Sequence, residues 1–322
     1  MPAFSVKPFR NLLLAVAAPI FFGPGCPLVD TSTTSATTYI NRGNSSYSQG
    51  QYDAAIASYD KALEISPNAA AYNGRGISYR AKGDYEQSIK DLSKALELDP
   101  KSAVIYTNRG WTYKEMRDYD RAIADHDRAI ELDPNLAGAY TNRGSTYERK
   151  GDYDRAIADH TKAMELNPRL EAPYGNRCLA YIGKGRYDDA IADCTKAVEI
   201  NPRYAMAFAN RGYAYQSKDE IDQAIADYDR ALEINPRYGF AYAQRGMAYW
   251  SRRDLDRAVA DYTHALEINP RYVDAYYNRA IAYYYLRRYD TAWEDVHSLE
   301  RLGYEMNSEF MKDLRVLSGR EK

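Results

Sequence analysis

Seven prolines set the frame of this chain. Pro67, Pro100, Pro134, Pro168, Pro202, Pro236 and Pro270 are separated by 33 residues once and by 34 thereafter. A fixed period of this length means that one supersecondary unit is built repeatedly, each copy burying its apolar face against its neighbours. Counting Ala103 as slot 1 puts Pro134 at slot 32. The same register resolves eight units: 36–68, 69–102, 103–136, 137–170, 171–204, 205–238, 239–272 and 273–306.

Within a unit the slots separate into two helices. Slot 4 is aromatic in all eight units, from Tyr39 to Tyr276, and slot 11 is Tyr in seven. With slot 8 they share one helical face; slots 20, 24 and 27 share a face of a second helix. This pattern absorbs most of an unusual composition, 32 tyrosines against 7 phenylalanines. Gly50, Gly83, Gly151 and Gly185 stand at slot 15, where a helix end favours a left-handed residue. Asp84, Asp118, Asp152 and Asp254 follow as N-caps for the second helix. Asp-Pro or Asn-Pro ends that helix, because the residue before proline is pushed out of helical geometry. Each unit therefore reads as two antiparallel helices.

The stretch "YTNRGWTY" at 106–113, with Ala122, His126 and Pro134, resembles the tetratricopeptide repeat, with Arg109 where that family has leucine. The resemblance covers residues 36–306. It implies an all-α fold: a right-handed superhelical solenoid of antiparallel helix pairs with a concave groove. It also implies a protein-interaction scaffold without an enzyme's chemistry or a cofactor. The sequence "NSEFMKDLRVL" at 307–317 reads as a helix capping the last unit, with 307–322 the cap and tail. The segments outside the array are too short for a separate enzyme core.

The triplet Asn-Arg-Gly recurs through the array and divides by role. Glycine at slot 8 is expected where two helices come closest, opposite the small residue of slot 20. Arginine at slot 7 occurs in every unit and faces a column of aspartates at slot 23, from Asp91 to Asp295, as an intramolecular ladder. Asparagine at slot 6 recurs as Asn108, Asn142, Asn176, Asn210 and Asn278. In relatives of this family, the resemblance implies, such asparagines line the groove and hold a peptide backbone, which an amide can do as donor and acceptor; the alternative is a local hydrogen bond within the array. His126, His160 and Cys194 fill slot 24 of successive units. Neighbouring packed helices lie about 8–10 Å apart, too far for one metal ion to be shared, so these are core residues.

Groove selectivity is expected from slots 2, 5, 9, 12 and 13. In the last three units these hold Met206, Tyr213, Phe240, Met247, Trp250, Tyr277, Ile281 and Tyr284. In the first four they are mostly small or polar, including Arg80 and Lys114, with Trp111 the main exception. Core slots are filled separately, so an apolar stretch here is expected to be exposed for a protein or peptide partner. The alternatives are a self-association surface or a seat for the C-terminal helix. No lysine stands at slot 2 or 5, which disfavours the family's carboxylate-gripping chaperone adaptors. A net charge of −2 and pI of 6.2 suggest no nucleic-acid face. Neither a small-molecule substrate nor a metal is expected.

Residues 1–35 differ from the rest. Lys7 and Arg10 precede the apolar run 12–22, and small residues follow, the layout of a secretory signal peptide. The expectation is an extracytoplasmic protein, periplasmic or secreted, from a bacterium. The alternative is a cytoplasmic or lipid-anchored assembly factor or co-chaperone using the same array, Cys26 being the lipidation candidate. Cys178 and Cys194 occupy opposing helices of one unit at similar heights, and a structural disulfide between them is weighed against two buried thiols.

Overall fold

The computed structural model describes residues 35–320, so the signal-peptide segment and Cys26 lie outside the described residues. Ser35 already belongs to the array, its hydroxyl accepting a hydrogen bond from the Thr38 amide at the first helix's N-terminus. The chain divides into two compact units whose described parts are residues 35–180 and 181–320.

The first unit holds four helix pairs. These are α1 (Ala36–Ser48) with α2 (Tyr52–Ile65), α3 (Ala69–Lys82) with α4 (Tyr85–Leu98), α5 (Ala103–Glu115) with α6 (Tyr119–Leu132), and α7 (Ala137–Arg149) with α8 (Tyr153–Leu166). Helix α9 (Glu171–Gly183) carries the boundary between the units. The second unit continues with α10 (Tyr187–Ile200). Three pairs follow: α11 (Ala205–Ser217) with α12 (Ile221–Ile234), α13 (Gly239–Ser251) with α14 (Leu255–Ile268), and α15 (Val273–Tyr285) with α16 (Tyr289–Arg301). Helix α17 (Ser308–Ser318) closes the described chain. No described helix is long and apolar enough to cross a membrane.

Local chemistry explains the turns. Asp84, Asp118, Asp152 and Asp254 each accept from the backbone amide three residues on, satisfying a donor the helix leaves free. Slot 15 is left-handed in every unit, and only half of these positions are glycine. Arg117, Asp219, Arg253 and Arg287 adopt φ of 59° to 64° in the others.

The glycines of slot 8 mark a close approach, but their main neighbour differs from expectation. A Cβ on Gly110 would come within 2.7 Å of the His126 ring and 3.0 Å of the Ala122 carbonyl. On Gly246 it would meet the Tyr262 ring at 2.7 Å. The bulky slot-24 side chain, more than the small slot-20 residue, therefore excludes a larger residue. The tyrosines of slot 11 have a second task. The guanidiniums of Arg121, Arg155 and Arg257 lie 4.4–4.6 Å from the ring centres of Tyr113, Tyr147 and Tyr249.

Candidate functional site

Six of the slot-7 arginines are engaged in holding the array together. Arg143 grips Asp159 with two parallel bonds, Nε to Oδ2 at 2.8 Å and Nη2 to Oδ1 at 2.7 Å. Its Nη1 donates to Asp127 of the preceding repeat at 2.6 Å. Arg75, Arg109, Arg211, Arg245 and Arg279 repeat the two-pronged grip on Asp91, Asp125, Asp227, Asp261 and Asp295. Each also reaches slot 25 of the repeat before: Asp60, Ser93, Thr195, Asp229 and Thr263 respectively. The ladder expected within repeats is thus also a staple between them. Fork-to-carboxylate geometry suits arginine and could not be reproduced by lysine. Burial pushes the carboxyls of Asp261 and Asp295 above their ordinary range, against the pull of their arginines.

The slot-6 amides do not line an open wall. Asn108, Asn142, Asn176, Asn210 and Asn278 are all buried. Asn108 donates to the Asn73 side chain at 3.0 Å, and Asn176 to the Ser145 hydroxyl at 3.0 Å, each in the preceding repeat. Closely nested first helices leave these amides facing protein. Gln244, the slot-6 residue of the seventh repeat, is buried too, and its amide finds no hydrogen-bond partner among the described residues. The slot-5 and slot-9 residues before it are Ala209 and Tyr213.

The apolar slots divide into three groups. Phe240, Tyr277 and Ile281 are buried core, which corrects the expectation that core slots are filled separately. Met206 stands half-buried and, with Phe240, lines a cavity at the loop end of the repeats. Tyr213, Met247, Trp250 and Tyr284 are half-buried along the first helices. Trp250 meets Tyr285 edge-on at 5.4 Å, and Tyr285 meets Tyr284 at the same separation. Tyr284 also packs 5.4 Å from Phe310 of α17, so the C-terminal helix occupies part of this face.

Trp250 is bought at a local cost. In the sixth repeat the Tyr228 hydroxyl donates to Gln216 at slot 12, 2.8 Å away. The seventh repeat puts Trp250 at slot 12, and the buried Tyr262 hydroxyl has no hydrogen-bond partner among the described residues. The same slot in the first unit carries charge that the sequence left unread. Arg80 and Lys114 are buried against the Trp111 ring, at 4.1 and 5.2 Å from its centre. Burial pulls the Lys114 amine down to about 8, partly offset by Glu115. His126, buried beside Lys114 and Arg143, is pulled down to about 3 and packs as a neutral ring.

Sequence profiles of the tetratricopeptide repeat match residues 67–135, 36–68, 137–170, 172–204 and 205–238, and a TPR repeat profile matches 251–286. The chain belongs to the tetratricopeptide repeat family. No curated protein matches it in sequence. Among solved structures, a tetratricopeptide repeat protein from Parabacteroides merdae is 21% identical with a TM-score of 0.59, over 74% of this chain and 94% of that one. The Cut9–Hcn1 hetero-tetramer of the APC/C gives 18% and 0.66, over 82% of this chain and 52% of that one. PilF of Pseudomonas aeruginosa gives 18% and 0.54, over 62% and 92%. At these identities the likeness establishes the solenoid of helix pairs. A tetratricopeptide solenoid is suited to protein interaction, and this one departs from the family pattern chiefly in its slot-7 staples.

Proposed function

We propose that this tetratricopeptide array is a scaffold without catalysis of its own, which holds an extended peptide or helix through apolar anchors. The anchors dock on the patch formed by Tyr213, Met247, Trp250, Tyr284 and Tyr285. One observation carries the reading: Trp250 stands half-buried at a slot where it leaves the buried Tyr262 hydroxyl unsatisfied. That slot costs the fold the hydrogen bond the sixth repeat makes, and aromatic side chains with an exposed face are typical binding anchors. Panning a displayed peptide library against the full chain tests it. Selected peptides should carry bulky apolar residues and lose binding to the Trp250→Ala/Tyr285→Ala variant. Equal retention by that variant would remove the assignment.

We further propose export, on the strength of Lys7, Arg10 and the apolar run 12–22. Cell fractionation with sequencing of the mature N-terminus decides between export and a cytoplasmic or lipid-anchored protein. An exported chain is compatible with a Cys178–Cys194 disulfide. Both residues are wholly buried, where a bonded pair is shielded from reductant. Thiol quantification in unfolded, unreduced protein checks it, two reactive groups from these cysteines being the adverse result.

A further inference from the structure

Asn-Pro-Arg-Tyr closes three repeats of the second unit, at 201–204, 235–238 and 269–272. Each copy is fixed by its own chemistry. The arginine's backbone amide donates to the asparagine side chain at 3.0–3.1 Å, holding the loop in one conformation. The tyrosine that follows turns inward: Tyr204, Tyr238 and Tyr272 are all buried. The arginine turns outward. Arg203, Arg237 and Arg271 are exposed, and none makes an ion pair with a described residue. The contrast lies within one array, because Arg211 and Arg245, slot-7 arginines of the same repeats, are each held at three points.

Between these loops lies a cavity of about 490 Å³, lined by the three tyrosines with Met206, Phe240 and Ile268, and bordered by Arg237. Its size falls in the range of ligand pockets, and its walls are apolar and aromatic. An unpaired cation at the mouth of an apolar pocket complements a carboxylate beside a bulky side chain. Three such cations, one per repeat, complement several carboxylates along a chain. Adjacent repeats are about 10 Å apart, and an extended peptide advances about 3.3 Å per residue. Carboxylates three residues apart therefore match successive arginines, whereas a free aryl carboxylate could engage only one.

We propose that this cavity is a second docking site, taking a bulky apolar side chain from an acidic segment of a partner protein while Arg203, Arg237 and Arg271 hold the flanking carboxylates. The site stands apart from the Trp250 patch and does not rest on it.

The test uses the full chain and a fluorescein-labelled synthetic peptide with one tryptophan between two glutamates spaced three residues apart. Sister peptides replace the glutamates by glutamine or the tryptophan by serine. Anisotropy should rank the parent peptide tightest, with affinity falling as salt rises. Arg237→Gln, which removes no internal contact, should weaken binding by up to about fivefold. The triple Arg203→Gln/Arg237→Gln/Arg271→Gln variant should lose discrimination between the glutamate and glutamine peptides. Gly239→Val tests the cavity itself: slot 1 is natively valine at Val273, and a Cβ here meets Ile268 at an ordinary 3.4 Å. It should weaken binding about tenfold by filling the pocket. Trp250→Ala/Tyr285→Ala should keep the preference for the glutamate peptide over its glutamine sister, which separates this site from the groove reading. Parent and sister peptides binding alike, both Gly239→Val and the triple variant binding as wild type, or displacement by a single-stranded oligonucleotide would each overturn the proposal.

Discussion

Tyr228 and Tyr262 fill the same slot of successive repeats and differ by one hydrogen bond. Tyr228→Phe removes the donor to Gln216 and should cost about 1 kcal/mol; Tyr262→Phe removes a hydroxyl with no acceptor and should gain about as much. Paired thermal melts read the two signs, and a loss in both variants would mean that Tyr262 has an acceptor after all. Lys114 makes a second prediction, in pH. Its folded value of about 8 lies below the usual 10.5 because the amine is buried. Between those values unfolding takes up a proton, so stability rises with pH from about 8, by up to roughly 3 kcal/mol in all. Above about pH 10 the trend reverses, since burial holds Tyr59, Tyr238 and Tyr272 protonated in the fold while the unfolded chain ionises. Lys114→Met should abolish the rise and leave the alkaline fall. The sequence marked slot 12 as groove and thereby missed both effects. Repeat spacing says where a side chain starts, but the nesting of first helices decides how much water reaches it.

At the scale of the helix pair, the turns and caps were legible because each obeys a local rule. Gly151 needs no tertiary context to be read as a left-handed stop, nor does Asp152 as a cap. Arg117 and Arg253 were not legible, because there the packing of two helices imposes a left-handed turn on residues that disfavour it by roughly 1–2 kcal/mol. The arginine ladder was half legible: slots 7 and 23 could be paired by register, but the bond to the preceding repeat needed the geometry. That extra bond yields a prediction with an internal control. Arg245→Met leaves Asp261 buried without its partner and should cost about 3 kcal/mol. Because Arg245 also holds Asp229, native-state hydrogen exchange should accelerate in α12 as well as in α13 and α14. Arg42 has Ser58 at slot 23 and an exposed side chain, so Arg42→Met should change stability by less than about 0.5 kcal/mol. Acceleration confined to α13 and α14 would reduce the staple to a contact within one repeat.

For the molecule as a whole, an array of repeats is only as closed as its ends. Each repeat offers an apolar face to the next, and the eighth offers Ile281, Val296 and Leu299, all buried. Helix α17 covers that face with Phe310 and Leu314, also buried, while Trp293 donates to the Ser318 hydroxyl at 3.0 Å. Phe310 falls where a ninth unit would have its slot-4 aromatic, so the cap keeps the register of a repeat's first helix. Its outer side exposes Val316 and Leu317, 59% and 50% accessible. Removing residues 307–322 withdraws two fully buried side chains, together about 3–6 kcal/mol of burial. Nearest-neighbour coupling confines the damage in such an array. Amides of α15 and α16 should therefore lose exchange protection while those of α11 and α12 keep theirs, and the truncated chain should self-associate as concentration rises, through the face laid bare. Uniform loss of protection across all repeats would show the array folding as one cooperative block, and α17 would then be a part of that block and not a lid on its end.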